Sequence, residues 1–149
     1  MIRGIKFKIP NEYDSFINKI LDGINKDKYY WKIDEDQVFF IEDDFLFSTD
    51  IYNGRDFSRI ISQPSYYVVF LNLQAFPIGS DFNEIQDYSD FLKSNCELIV
   101  LISDCIFVSI YSKNKNVIET INLNAQRNNF DEISYITDEN DKKIKFTAI

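Results

Sequence analysis

The order of periodicities along this chain predicts an α+β fold. The sheet is expected to be mostly antiparallel or mixed and built from hairpins, with two longer and one or two short helices packed on it. Three observations carry the prediction. Residues 2–9 alternate, with Ile5, Phe7 and Ile9 on one face, as a half-buried strand does. Tyr13, Phe16, Ile17, Ile20, Leu21 and Ile24 recur at i, i+3, i+4, i+7, i+8 and i+11, which puts them on one side of a helix. Pairs of β-rich runs close around short polar turns, which favours antiparallel pairing over a doubly wound parallel sheet.

In chain order, the strand at 2–9 leads through Pro10 and Asn11 into the helix, whose last turn is weakened by Gly23. Runs 29–33 and 38–41 read as a hairpin about Asp34-Glu35-Asp36-Gln37. Residues 42–54 have no clear period and end in the turn pair Asn53-Gly54. A short helix at 55–62 ends before Pro64, and 66–73 reads as a buried strand. Phe76-Pro77-Ile78-Gly79 reads as a loop, and 88–93 as a second short helix. Runs 97–102 and 106–111 form a second hairpin about Ser103-Asp104. The helix at 116–128 carries Val117, Ile118, Ile121 and Ala125, and strands at 133–137 and 143–147 close the order. There is no internal repeat, linker or low-complexity stretch. At 149 residues the chain is expected to be a single domain over 1–149.

Missing residues exclude several chemistries. The chain has no histidine, so Ser-His-Asp and Cys-His arrangements and histidine zinc sites are absent. Two cysteines fall short of a structural zinc site. The four glycines are scattered at 4, 23, 54 and 79, leaving no glycine-rich phosphate loop. The longest apolar run, Leu98-Ile99-Val100-Leu101-Ile102, is far below the ~20 residues of a membrane helix. The N-terminus alternates charged and apolar residues and does not read as a secretory signal. A cytoplasmic protein with no membrane segment is the expectation, and two unpaired cysteines fit a reducing compartment. A two-residue turn at 103–104 would set Cys96 opposite Tyr111 and away from Cys105, so a disulfide is not expected.

The net charge of -8 is unevenly placed. Residues 1–32 hold seven basic and four acidic side chains, 33–104 hold three and fourteen, and 105–149 hold six of each. The excess acid argues against nucleic acid, whose phosphates need a basic face. It favours a basic protein partner, which an acidic patch attracts and selects. The sharpest segment interleaves acids and aromatics: Glu42, Asp43, Asp44, Phe45, Phe47 and Tyr52 are the candidate partner-binding residues. The competing reading buries Phe45, Phe47 and Tyr52 in the core.

No catalytic residue, metal ligand set or cofactor is assigned. The acidic clusters 34–36, 42–44 and 138–141 lack the spacing and glycine of an EF-hand. Asp141-Lys142-Lys143 only echoes the Glu-x-Lys of magnesium nucleases, and it sits in a turn. Arg3, Tyr30, Trp31 and Lys32 make no aromatic cage, since Tyr30 and Trp31 point to opposite faces of a strand, and Trp31 reads as a core anchor.

Several strings together resemble a known family. They are Met1-Ile2-Arg3-Gly4-Ile5, Ile9-Pro10-Asn11-Glu12-Tyr13, Tyr29-Tyr30-Trp31, Ala75-Phe76-Pro77, Asp90-Phe91-Leu92 with Cys96, and Tyr135-Ile136-Thr137-Asp138-Glu139-Asn140-Asp141. The pattern resembles domain-of-unknown-function family 2691, small uncharacterised proteins of low-GC Gram-positive bacteria. The resemblance spans nearly the whole chain but not 42–62. It implies a bacterial single-domain unit and carries no site onto these residues.

The expected function is that of a non-enzymatic acidic interaction protein that neutralises or regulates a basic protein partner, an immunity-type protein being one instance. The alternative is a structural or accessory domain with no separable activity. A metal-dependent enzyme built on carboxylates ranks third. An open strand edge would serve a homodimer as readily as a complex.

Overall fold

The computed structural model describes residues 1–40 and 44–147. Seven strands form one sheet: β1 (Ile2–Lys8), β2 (Tyr29–Phe39), β3 (Ile51–Asn53), β4 (Tyr67–Pro77), β5 (Leu98–Ser103), β6 (Phe107–Ser112) and β7 (Asp131–Thr137). Their order is β3-β2-β4-β5-β6-β1-β7, and every pairing is antiparallel. The helices are α1 (Phe16–Ile20), α2 (Gly54–Ile61), α3 (Tyr88–Lys93) and α4 (Lys115–Arg127). The α+β class with an antiparallel sheet is therefore observed.

The sheet is buried on two faces by different material. On the first face, Ile5 and Phe7 of β1, Trp31 and Ile33 of β2, and Leu98, Val100 and Ile102 of β5 join one apolar cluster with residues of α1, α2 and α4. On the second face, Ile99 and Leu101 of β5 pack with Phe76, Tyr111 and Ile136 under Phe91 of α3, Ile85 and Phe146. Central strands covered on both sides read as continuous apolar runs, which explains 98–102. Trp31 is fully buried, stacked on Phe57 at 4.4 Å, and its indole N–H donates to the Lys26 carbonyl at 3.1 Å. The core-anchor reading of Trp31 holds.

Four expectations are corrected. The helix expected over 10–24 is helical only from Phe16 to Ile20. Asp14 is drawn into a bridge with Tyr66, their backbones exchanging hydrogen bonds at 3.1 and 3.4 Å, and Gly23 turns the chain at φ +81°. Five of the six patterned residues are still buried, and only Tyr13 is exposed. α4 is thus the one long helix among the described residues.

The hairpin expected about 34–37 is a single strand, β2, paired with β4 along its length. The register slips between Ile33 and Glu35, so Asp34 is accommodated as an irregularity and not as a turn. The second hairpin exists, but its turn spans three residues, 104–106, with Asp104 and Cys105 left-handed at φ 50° and 70°. Ile102 consequently faces Val108, not Cys105. Both thiols are free, and burial pushes that of Cys96 up to about 12. Finally, 143–147 is not a strand. It crosses the second face, where the Phe146 N–H donates to the Gln86 carbonyl at 2.7 Å and the ring enters the core. No helix among the described residues is long and apolar enough to cross a membrane.

Candidate partner-binding surface

β3 is one edge of the sheet, and the segment before it lies against β2. The Phe40 N–H donates to the Asp44 carbonyl at 2.7 Å, Leu46 N–H to Val38 at 2.8 Å, and Ile33 N–H to Asp50 at 2.7 Å. Residues 44–50 are thereby laced to the strand without forming one of their own. This geometry divides the candidate residues. Phe47 and Tyr52 are buried at 7% exposure each, with rings 5.9 Å apart and Phe47 stacked 6.4 Å from Phe57. The Tyr52 hydroxyl accepts from the N–H groups of Ser48 (2.8 Å) and Thr49 (3.2 Å), holding that turn. Phe45 is 60% exposed, its ring 5.1 Å from Phe39, and Asp44 is exposed beside it. Glu42 and Asp43 lie outside the described residues.

The core thus takes Phe47 and Tyr52, and the surface keeps Asp44 and Phe45. Two residues that sequence reasoning missed join the surface. Ile51 on β3 is 41% exposed, and Asp50 next to it is exposed. Alternation on β3, with Tyr52 inward, is the signal that places Ile51 outward. Among the described residues the result is an unpaired strand edge with two apolar groups and flanking carboxylates.

Asp36 of β2 adds a further negative group. One of its carboxylate oxygens is buried without a hydrogen-bond partner among the described residues. Burial, and secondarily the charge of Asp50, raises its pKa. Among the described residues, no three acids or thiols gather so as to hold a metal ion.

The acids at 138–141 serve a different purpose. Arg3 donates to Asp138 at 2.9 Å and to Asp141 at 3.1 Å, and its guanidinium sits 4.1 Å from the centre of the Tyr88 ring. Tyr111 donates its hydroxyl to the other Asp141 oxygen at 3.1 Å. The Asp138 hydrogen bond is the main reason the Arg3 pKa is raised, and that same bond lowers the Asp138 pKa. The cluster ties the segment after β7 to β1 and α3. Tyr30 is partly exposed on the face opposite Trp31, so the two form no cage.

The family model for proteins of unknown function DUF2691 matches residues 2–147. The uncharacterised protein YncE of Bacillus subtilis (strain 168) is 40% identical over 153 residues, covering 99% of this chain and all of that protein. No solved structure matches.

Proposed function

The chain belongs to the DUF2691 family, whose function is unknown, and from that footing we propose that it is a non-enzymatic interaction protein that binds a basic protein partner. The β3 edge is the contact surface. The observation that carries this reading is the exposure of Phe45 beside Asp44, on the edge that also displays Asp50 and Ile51. Aromatic and aliphatic anchors ringed by charge are how interfaces concentrate affinity, while the charges set approach rate and partner choice. The fourteen acids between 33 and 104 extend the field that draws a basic surface. Neutralisation of a basic toxin by an immunity-type protein is the specific form of this activity. The same reading places the protein in the cytoplasm and excludes nucleic acid as the partner of this edge.

The test is capture from host lysate with wild-type protein and with Asp44→Lys/Asp50→Lys. The wild type should retain a basic protein at low salt and release it at high salt, and the variant should fail to retain it. Equal capture by both proteins, insensitive to salt, would sink the proposal.

A further inference from the structure

We infer a second binding site at the opposite end of the sheet, for a compact polyanion of the phosphate class, held by Lys6, Lys142 and Lys143 with the Ser109 hydroxyl. The second face is covered by Phe146 and α3 only as far as Tyr111 and Ile136. Beyond them, among the described residues, β1 and β6 border two adjoining pockets of about 330 Å³ each, which share Lys6 and Ser109. Lys142 and Lys143 overhang the first pocket from the segment after β7.

The sign of the charge there runs against that of the chain. No carboxylate among the described residues is within ion-pair reach of Lys6, Lys142 or Lys143. The acid lining the same pocket, Asp141, is already committed to Arg3 and to the Tyr111 hydroxyl. It also accepts the Lys143 backbone N–H at 3.1 Å, which fixes where that lysine leaves the turn. The pocket is therefore lined by three lysines without an ion-pair partner among the described residues and by one carboxylate already paired with Arg3, within a protein of net charge -8. Ammonium groups act on phosphate as point charges without demanding one orientation, and the hydroxyl supplies a donor. In the second pocket Lys8 is paired with Glu132 and approaches the Phe107 ring at 5.3 Å, which leaves the shared Lys6 as its one unpaired lysine, so the larger positive excess is in the first.

The test is an amide-resolved NMR titration with sodium pyrophosphate at constant ionic strength. Saturable shifts are expected at Lys6, Ser109 and Lys143, with half-saturation of the order of 1 mM. Lys6→Gln and Lys143→Gln should each weaken binding about two- to fivefold, as partly exposed charge pairs do. The triple change Lys6→Gln/Lys142→Gln/Lys143→Gln should abolish it, with the spectrum otherwise intact. Lys93→Gln, on α3, should leave it unchanged. Absence of saturation, shifts spread over unrelated lysines, or full affinity in the triple variant would overturn the site. A hexathymidylate binding there about tenfold tighter than pyrophosphate would overturn the small-ligand assignment in favour of nucleic acid.

Discussion

Arg3 Nη1 lies 3.1 Å from an Asp141 carboxylate oxygen across 138 residues of sequence, and the Asp141 side chain is only 4% exposed. The pair joins the first strand to the segment after the last, and Tyr111 and the Lys143 N–H complete the carboxylate's partners. Replacing Arg3 by methionine keeps part of the packing on Tyr88 but leaves a buried charge short of its cation. The expected loss is about 2–3 kcal/mol, read by denaturant unfolding. Arg3→Lys should recover only part of it, because an ammonium cannot reproduce the fork that reaches both Asp138 and Asp141. If Arg3→Lys is as stable as the wild type, the fork contributes nothing.

Gly4 and Gly79 should respond differently to alanine, for separate reasons. A Cβ on Gly4 would stand 1.7 Å from the Ile110 carbonyl oxygen, so β1 and β6 must part where Gly4 faces Tyr111. Backbone cannot yield as a side chain can, and a loss of about 3 kcal/mol or more is expected. At Gly79 nothing lies within 4 Å of the added atom, but φ is +88°. There the cost is conformational, about 1–2 kcal/mol. Thermal unfolding of the two variants gives the ordering, and a Gly4→Ala protein as stable as Gly79→Ala would show the close approach to be wrong.

Asp36 gives stability a definite pH dependence. Burial, then Asp50, raises its carboxyl above the ordinary value. It holds its proton more tightly folded than unfolded, so its contribution is most favourable below about pH 4 and is lost as pH rises through the raised value. At neutral pH the charge is a net cost. Asp36→Asn should therefore raise the melting temperature at pH 7, with the gain vanishing near pH 3. A gain of equal size at both pH values would point to a new amide hydrogen bond instead.

What the sequence disclosed, and what it hid, follows from which interactions are local. Ile5, Phe7 and Ile9 alternate because one face of β1 is buried, and that strand was legible. The bounds of α3 were legible too, and Asp87 caps it by accepting the Asp90 N–H at 2.8 Å. The six-residue stripe from Tyr13 to Ile24 marked burial correctly for all but Tyr13, yet overstated the helix. The Asp14–Tyr66 bridge that shortens it spans about fifty residues, and periodicity carries no trace of it. Acids at 34–37 looked like a turn because turns favour them. Pairing with β4, whose partners lie as far as 48 positions away at Tyr29 and Pro77, kept them in a strand. Alternation on β1 did mark Lys6 and Lys8 as facing away from Ile5 and Phe7, but not that Lys142 and Lys143 come to meet Lys6.

Phe45 and Phe47 make the sharpest test of the candidate surface, because residues two apart in sequence have opposite surroundings here. Phe47 is packed between Tyr52 and Phe57, so Phe47→Ala should cost about 3–5 kcal/mol, as large-to-small changes in a core do. Phe45 touches Phe39 but is mostly in solvent, and Phe45→Ala should cost about 1 kcal/mol or less. For capture of a basic partner the order should reverse among folded proteins. Phe45→Ala removes an anchor and should weaken binding by about 2 kcal/mol, roughly thirtyfold, while its unfolding curve stays near that of the wild type. Denaturant unfolding and partner capture on the same preparations measure both effects. Loss of stability with Phe45→Ala matching that of Phe47→Ala would put Phe45 in the core and remove it from the surface. Unchanged capture at unchanged stability would show that the exposed ring does not hold the partner and would remove the observation on which the proposed surface rests.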